Sequence, residues 1–271
     1  MKDIYIRTLT GIVFLVIVIG SIVLNPLAFL LVFSVFTFIG LKEFYRLSKS
    51  SNKLSSNASP EYYIFGMLIY FIIGLSGLGY IDVRFSAIIF VILFIQIAIE
   101  LYRKDPQWNN ITTLITGYIY IVVPFGLMNS LFYTGSIDEP QTGILIGMFV
   151  LIWTSDVFAY LTGSMFGKHK LMERVSPKKT WEGSLGGLIF ALIAAYILSL
   201  FVNQLSLFEW ISLSAVIVIS GTLGDLVESL LKRNAGVKDS GTIFPGHGGV
   251  LDRFDAVIFA TPMVFVFINL L

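Results

Sequence analysis

The chain has 271 residues, 56% of them hydrophobic and 13% charged, with a mean hydropathy of +0.86 and a formal net charge of +1. Soluble domains carry about 25% charged residues, so a water-facing globular surface is excluded and lipid is the expected solvent. The absence of cysteine excludes disulfides and thiolate chemistry, two histidines exclude a multi-histidine metal centre, and the near-zero charge gives no case for nucleic-acid binding.

A membrane span needs about 20 mostly apolar residues. On that ruler nine helices are expected, near 9–24, 27–41, 62–79, 85–101, 111–133, 142–163, 184–202, 208–231 and 255–271. The fold class is therefore an all-α integral membrane protein. Asn25-Pro26 splits the first two into a tight helical hairpin. The first run lacks a small-residue cleavage site leading into a polar chain, so it is expected to remain a span. With a cytoplasmic N-terminus, the segments 1–8, 42–61, 102–110, 164–183 and 232–254 all face the cytoplasm. They hold 17 of the 18 Lys and Arg residues, Arg84 being the exception. The positive-inside rule thus orients the chain, with its C-terminus on the outer side.

The cytoplasmic segments differ in character. Residues 48–59 are Ser/Asn-rich and read as a flexible connector. The loops 164–183 and 232–254 mix charge, Gly, Pro, Trp and His, so function is expected at the cytoplasmic face of the C-terminal half. The expected division is an N-terminal set of four to five spans over 1–140 and a catalytic region over 141–271.

Ionised groups near mid-bilayer cost about 2.5–3.5 kcal/mol each on insertion scales. Asp156 in the sixth span and Asp225 and Glu228 in the eighth therefore need compensation. Asp225, Glu228, Ser229 and Lys232 fall at i, i+3, i+4 and i+7, one stripe of a helix. Gly221 and Gly224 precede them and admit a close backbone neighbour. Carboxylates beside a polar loop suit a hard cation such as Mg²⁺. In the following loop, Pro245-Gly246-His247-Gly248-Gly249 suits a turn whose N–H groups point at an anion. Asp252 and Asp255 follow, with Arg253 between them. Upstream, Ser176-Pro177 is expected to cap and start a helix, leaving Lys178 and Lys179 for phosphates. The run 163–168, GSMFGK, lacks the P-loop spacing, which excludes a Walker-type ATPase.

The stretch Ser229 to Asp255, SLLKRNAGVKDSGTIFPGHGGVLDRFD, resembles the signature of phosphatidate cytidylyltransferases, or CDP-diglyceride synthases. It matches at Ser229, Lys232, Arg233, Lys238, Asp239, Gly241, Phe244, Pro245, His247, Gly248, Gly249, Asp252, Arg253 and Asp255. The resemblance extends upstream through Asp156, Ala159-Tyr160, Gly163, Phe166-Gly167-Lys168 and Ser176 to Gly183. It implies transfer of a cytidylyl group from CTP to phosphatidate, Mg²⁺-dependent and open to a second cation, by a homodimer of the inner (plasma) membrane facing the cytoplasm. Asp225 and Asp252 match the acids credited with metal binding; Asp156, Glu228, Asp239 and Asp255 are further acid candidates. Lys232, Arg233, Lys238 and Arg253 are expected to handle phosphates, and Lys178 and Lys179 to grip the triphosphate or the lipid head. Ser229, Gly248 and Gly249 are expected to contact substrate, while His247 either donates to the leaving group or braces the loop. Two alternatives stand beside this: another lipid phosphate or a polyprenol as acceptor, and a transporter using Asp156, Asp225 and Glu228 as its path. The clustering of chemistry at one face disfavours the transporter.

Overall fold

The structure is a computed structural model that describes residues 2–51, 58–133 and 139–271. Among these residues the long helices are α1 (Lys2–Leu24), α2 (Pro26–Ser50), α3 (Pro60–Gly77), α4 (Val83–Leu101) and α5 (Trp108–Phe132). They are followed by α6 (Gly143–Phe166), α7 (Trp181–Phe201), α8 (Leu207–Asn234) and α9 (Leu251–Asn269). Eight of them, α1 to α8, are long and apolar enough to cross a membrane. The expected ninth span corresponds to α9, which is not in that set. Its head carries Asp252, Arg253 and Asp255, which shortens its uninterrupted apolar run. The protein is an all-helical membrane protein, with one small hairpin among the described residues.

Local chemistry sets several boundaries. Asn25 caps α2, its Oδ1 accepting from Ala28 N at 2.8 Å, and Pro26 takes the first helical position where no N–H is needed. The apolar run ends at residue 41, yet α2 continues to Ser50, so residues 48–51 of the expected flexible connector are helix and its cap. Residues 52–57 of that connector lie outside the described residues. The helix expected to start at Ser176 does not form. Lys170–Met172 (β1) and Ser176–Thr180 (β2) pair as an antiparallel hairpin instead, and α7 begins only at Trp181. The ring of Pro177 disfavours helical geometry at Ser176, and an edge strand tolerates the missing N–H. Thr180 then caps α7, its Oγ1 accepting from Gly183 N at 3.2 Å.

The chain forms two compact units. One comprises 1–140 and 231–254; the other comprises 141–230 and 255–271. The loop 232–254, expected with the C-terminal region, thus packs with the N-terminal helices.

In the first unit, Phe254 sits in an aromatic core with ring centroids 5.6 Å from Phe33, 5.0 Å from Phe36 and 5.2 Å from Phe125. A polar network lies elsewhere in the same unit. Buried Glu100 accepts from Tyr62 Oη at 3.1 Å and Asn110 Nδ2 at 2.7 Å, and pairs with Arg103 Nε at 2.8 Å. Gln96 donates to Tyr118 Oη at 2.9 Å, which donates onward to the Tyr62 carbonyl at 2.8 Å. A buried acid is tolerated because its lone pairs are taken. Helix α5 reaches both regions through a π-wound stretch at Tyr118–Val122.

In the second unit, α6 and α7 pack through small residues. Gly183, Gly187, Ala191 and Ala195 recur every fourth position on α7 and are all buried. They meet Ser155, Ala159 and Gly163 on α6, spaced the same way: a Cβ at Gly187 would stand 2.8 Å from the Ser155 carbonyl oxygen. Lipid tails are as apolar as the helices, so close backbone approach drives their association.

Replacing Gly187 by Ala is therefore expected to lower stability by about 1–3 kcal/mol through overpacking. Gly20→Ala in α1, where a Cβ meets nothing within 4 Å, is expected to be neutral or to stabilise by up to about 1 kcal/mol. Thermal unfolding of the two variants in one detergent checks the contrast.

Candidate active site

In the second unit, α8 presents the stripe read from the sequence. Asp225, Glu228 and Asp255 bring carboxylate oxygens within 4.8 Å of one another. Asp255 reaches the pair because α9 lies directly on the α8 glycines. A Cβ at Gly224 would collide with the Asp255 carbonyl oxygen, and one at Gly221 would come within 3.3 Å of the Ala256 side chain. The close neighbour expected at Gly221 and Gly224 is thus the start of the last helix. Ser229 Oγ stands 3.4 Å from Asp225 Oδ1, and Lys179 Nζ forms an ion pair with Asp225 Oδ2. Glu228 is 1% exposed.

Beside this cluster is a cavity of about 520 Å³. Asp156, Lys178, Lys179 and Asp225 line its polar part, and Ile152, Ile217 and Val218 its apolar part. Volumes of this order are those of small-molecule sites. Three carboxylates so close repel one another unless cations offset them. Lys179 brings one positive charge to Asp225. The donor set is anionic and entirely oxygen, so it fits a hard divalent cation.

The first unit holds the rest of the expected residues. Lys232 Nζ bonds Asp252 Oδ1 at 2.7 Å, both side chains being largely enclosed. The other carboxylate oxygen of Asp252 accepts from Ser240 N at 2.7 Å and Gly249 N at 2.8 Å, with Ser240 Oγ also at 2.8 Å. Phe244-Pro245-Gly246-His247 is a tight turn closed by His247 N donating to Phe244 O at 2.8 Å, with Gly246 at φ 75° as a type II turn requires. Gly248, at φ 81°, lies where any Cβ would strike the Asp252 carboxylate. Arg253 Nε donates to the His247 carbonyl at 3.0 Å. Burial, then the neighbouring Arg253 and Arg7 charges, push the His247 imidazole below its ordinary pKa, favouring its neutral form. Its Nδ1 has no hydrogen-bond partner among the described residues. Arg233, Lys238 and Asp239 are exposed.

The glycine turn does point N–H groups at anions, as expected, but the anions it meets here are the protein's own. One is Asp252. The other is Glu43 of α2, which the sequence reading passed over. Glu43 is 6% exposed and accepts from Val250 N at 3.0 Å, Leu251 N at 2.9 Å and Ser240 Oγ at 2.9 Å. A Cβ at Gly241 or Gly249 would run into its carboxylate. Arg46, one turn along α2, donates to the Ser240 carbonyl. Glu43 lies between Lys42 and Arg46 in a segment that reads as a solvated loop, so its only clue was an acid among aromatic residues, Phe44 and Tyr45.

These features define a multi-span membrane protein that collects carboxylates, amines and a half-apolar cavity. The sequence profile of the cytidylyltransferase family matches residues 5–271. A phosphatidate cytidylyltransferase of Staphylococcus saprophyticus subsp. saprophyticus is 33% identical over 262 residues, 96% of each chain. One of Staphylococcus aureus (strain COL) is 32% identical over 261 residues, again 96% of each chain. One of Haemophilus influenzae is 47% identical over 131 residues, 46% of each chain. The chain belongs to the cytidylyltransferase family.

Glu43→Ala strands two buried N–H groups, each costing about 1–3 kcal/mol, so the variant is expected to lose about 2–6 kcal/mol of stability. Glu43→Gln keeps a carbonyl acceptor and is expected to lose less. Chemical unfolding of purified protein measures both; an alanine variant as stable as wild type would mean that water replaces the carboxylate.

Proposed function

We infer that the protein transfers the cytidylyl group of CTP to phosphatidate, forming CDP-diacylglycerol and pyrophosphate in phospholipid synthesis. Family membership along nearly the whole chain supports this reading. The structural observation that carries it is the 520 Å³ cavity, with lysines and carboxylates on one part of its wall and aliphatic side chains on another. Such a wall suits a phosphorylated lipid, whose head is anionic and whose tails are apolar.

The lipid phosphate is already an anion at neutral pH, so its oxygen attacks the α-phosphorus of CTP without a strong general base. One P–O bond forms to the lipid, the bond to the β-phosphate bridge breaks, and pyrophosphate leaves. The difficulty is bringing two polyanions together, which fixed cations ease. Lys178 and Lys179 supply them in the second unit; Lys232, Arg233, Lys238 and Arg253 are their counterparts in the first. Lys179 also holds Asp225 in place. Asp225, Glu228 and Asp255 would hold Mg²⁺, with Asp156 facing the same cavity. When bound, the cation supplies Lewis-acid neutralisation of phosphate charge. Asp252 fixes Lys232 and the turn that carries His247.

The proposal includes nine spans with α9 as the last, a cytoplasmic N-terminus, an outer C-terminus and a cytoplasm-facing site in the inner membrane. Support for it comes from the placement of 17 of 18 basic residues. The homodimer is carried on the family resemblance.

Purified protein with α-³²P-CTP, phosphatidate micelles and Mg²⁺ is expected to label the lipid and release pyrophosphate, whereas γ-label stays out of lipid. Asp225→Asn and Asp252→Asn are each expected to reduce turnover by at least about a hundredfold. If one variant turns over normally, that residue's role falls while the reaction stands; no lipid label from folded wild type overturns the reaction. The cysteine-free background also makes the topology testable. In oriented vesicles, a membrane-impermeant thiol reagent is expected to label Ser176→Cys from the cytoplasmic side and Ser86→Cys from the opposite side.

A further inference from the structure

A second cavity, of about 480 Å³, lies in the first unit between α2 and the chain at 241–243. Its wall includes Lys42, Arg46 and Lys49, spaced i, i+4 and i+7 on α2, with Tyr63 and Ile243 facing them. Lys42 has no hydrogen-bond or ion-pair partner among the described residues. Arg46 is pinned by the Ser240 carbonyl. The acid in the wall, Glu43, already accepts from Ser240, Val250 and Leu251, so cations dominate the cavity.

The same helical face continues away from the cations as Phe38, Val35 and Leu31, which are 41%, 55% and 60% exposed. Their immediate α2 neighbours Phe33, Phe36, Thr37, Leu41 and Phe44 are buried. One open stripe of α2 therefore changes from apolar to basic as it enters the cavity. Positive-inside placement puts basic residues at a membrane surface; it does not form a cavity beside three of them in line with an exposed apolar stripe.

We propose that this face is a lipid site, separate from the cavity of the inferred reaction, for an anionic phospholipid. Its acyl chains lie along Leu31, Val35 and Phe38, and its phosphate sits among Lys42, Arg46 and Lys49. Charge complementarity selects an anionic head over a zwitterionic one, because basic side chains near the surface attract anionic lipids.

The test uses full-length protein in nanodiscs with equal phosphatidylglycerol and phosphatidylcholine, followed by native mass spectrometry of the lipids it retains. Wild type is expected to keep phosphatidylglycerol preferentially. Lys42→Gln/Lys49→Gln is expected to lose that preference by at least about tenfold. Lys178→Gln/Lys179→Gln, altered in the other cavity, is expected to keep it. Equal retention of both lipids by wild type overturns the site, and so does undiminished preference in the Lys42/Lys49 variant. Complete displacement by inorganic phosphate also overturns it, since the site would then be one for a free anion. Phosphatidylglycerol is not a substrate of the inferred reaction, so failure here leaves that reading intact.

Discussion

A carboxylate buried in α2 reaches across some two hundred residues of sequence to hold the start of the last helix. Glu43 receives the N–H groups of Val250 and Leu251, donors that a helix N-terminus leaves without partners of its own. It also meets the Ser240 hydroxyl, which lies equally close to Asp252. That hydroxyl has one proton, so it can donate to one acid at a time. The glycines at 241 and 249 follow from the same constraint, because any side chain there would occupy the space of the carboxylate. A motif that reads as a phosphate cradle is, in its backbone geometry, first a seat for two internal anions.

The two units treat their acids differently, and environment separates the roles. Asp252 has an amine and two backbone N–H groups within bonding distance, so its charge is largely offset by the fold itself. Asp225, Glu228 and Asp255 crowd one another beside an open cavity. Within the second unit the carboxylates face one another with Lys179 as counter-charge to Asp225, whereas Asp252 is met by Lys232, Ser240 and Gly249.

Much of this was legible in the residues. Long apolar runs located the helices, and the spacing of Asp225, Glu228 and Ser229 put them on one stripe. Gly221 and Gly224 announced a close backbone neighbour, though only the packed structure identifies it as α9 and brings Asp255 into the cluster. Other features stayed hidden for physical reasons. The charged run Lys42-Glu43 ends the hydropathy signal while the helix continues, which concealed Glu43 and the basic face of α2. Ser176-Pro177 fits a helix start as well as an edge strand, and the hairpin forms while Thr180 supplies the cap three residues before Gly183, the first buried glycine of α7. The grouping of 231–254 with the N-terminal helices depends on contacts no local pattern encodes.

Helix α5 answers to two sets of neighbours: Tyr118 is tied to Gln96 and Tyr62, while Phe125 packs on Phe33 and Phe254. The π-wound stretch at Tyr118–Val122 separates them. A π-turn accommodates one more residue than regular winding, so it works as a phase shift between the two ends. Gaining or losing a residue in the regular winding on either side, with no wider turn to absorb it, would rotate everything beyond it by about 100°, carrying Phe125 away from its aromatic partners. In those flanking turns side chains are negotiable within limits of size, but the number of residues is not: chain length itself is the specified quantity.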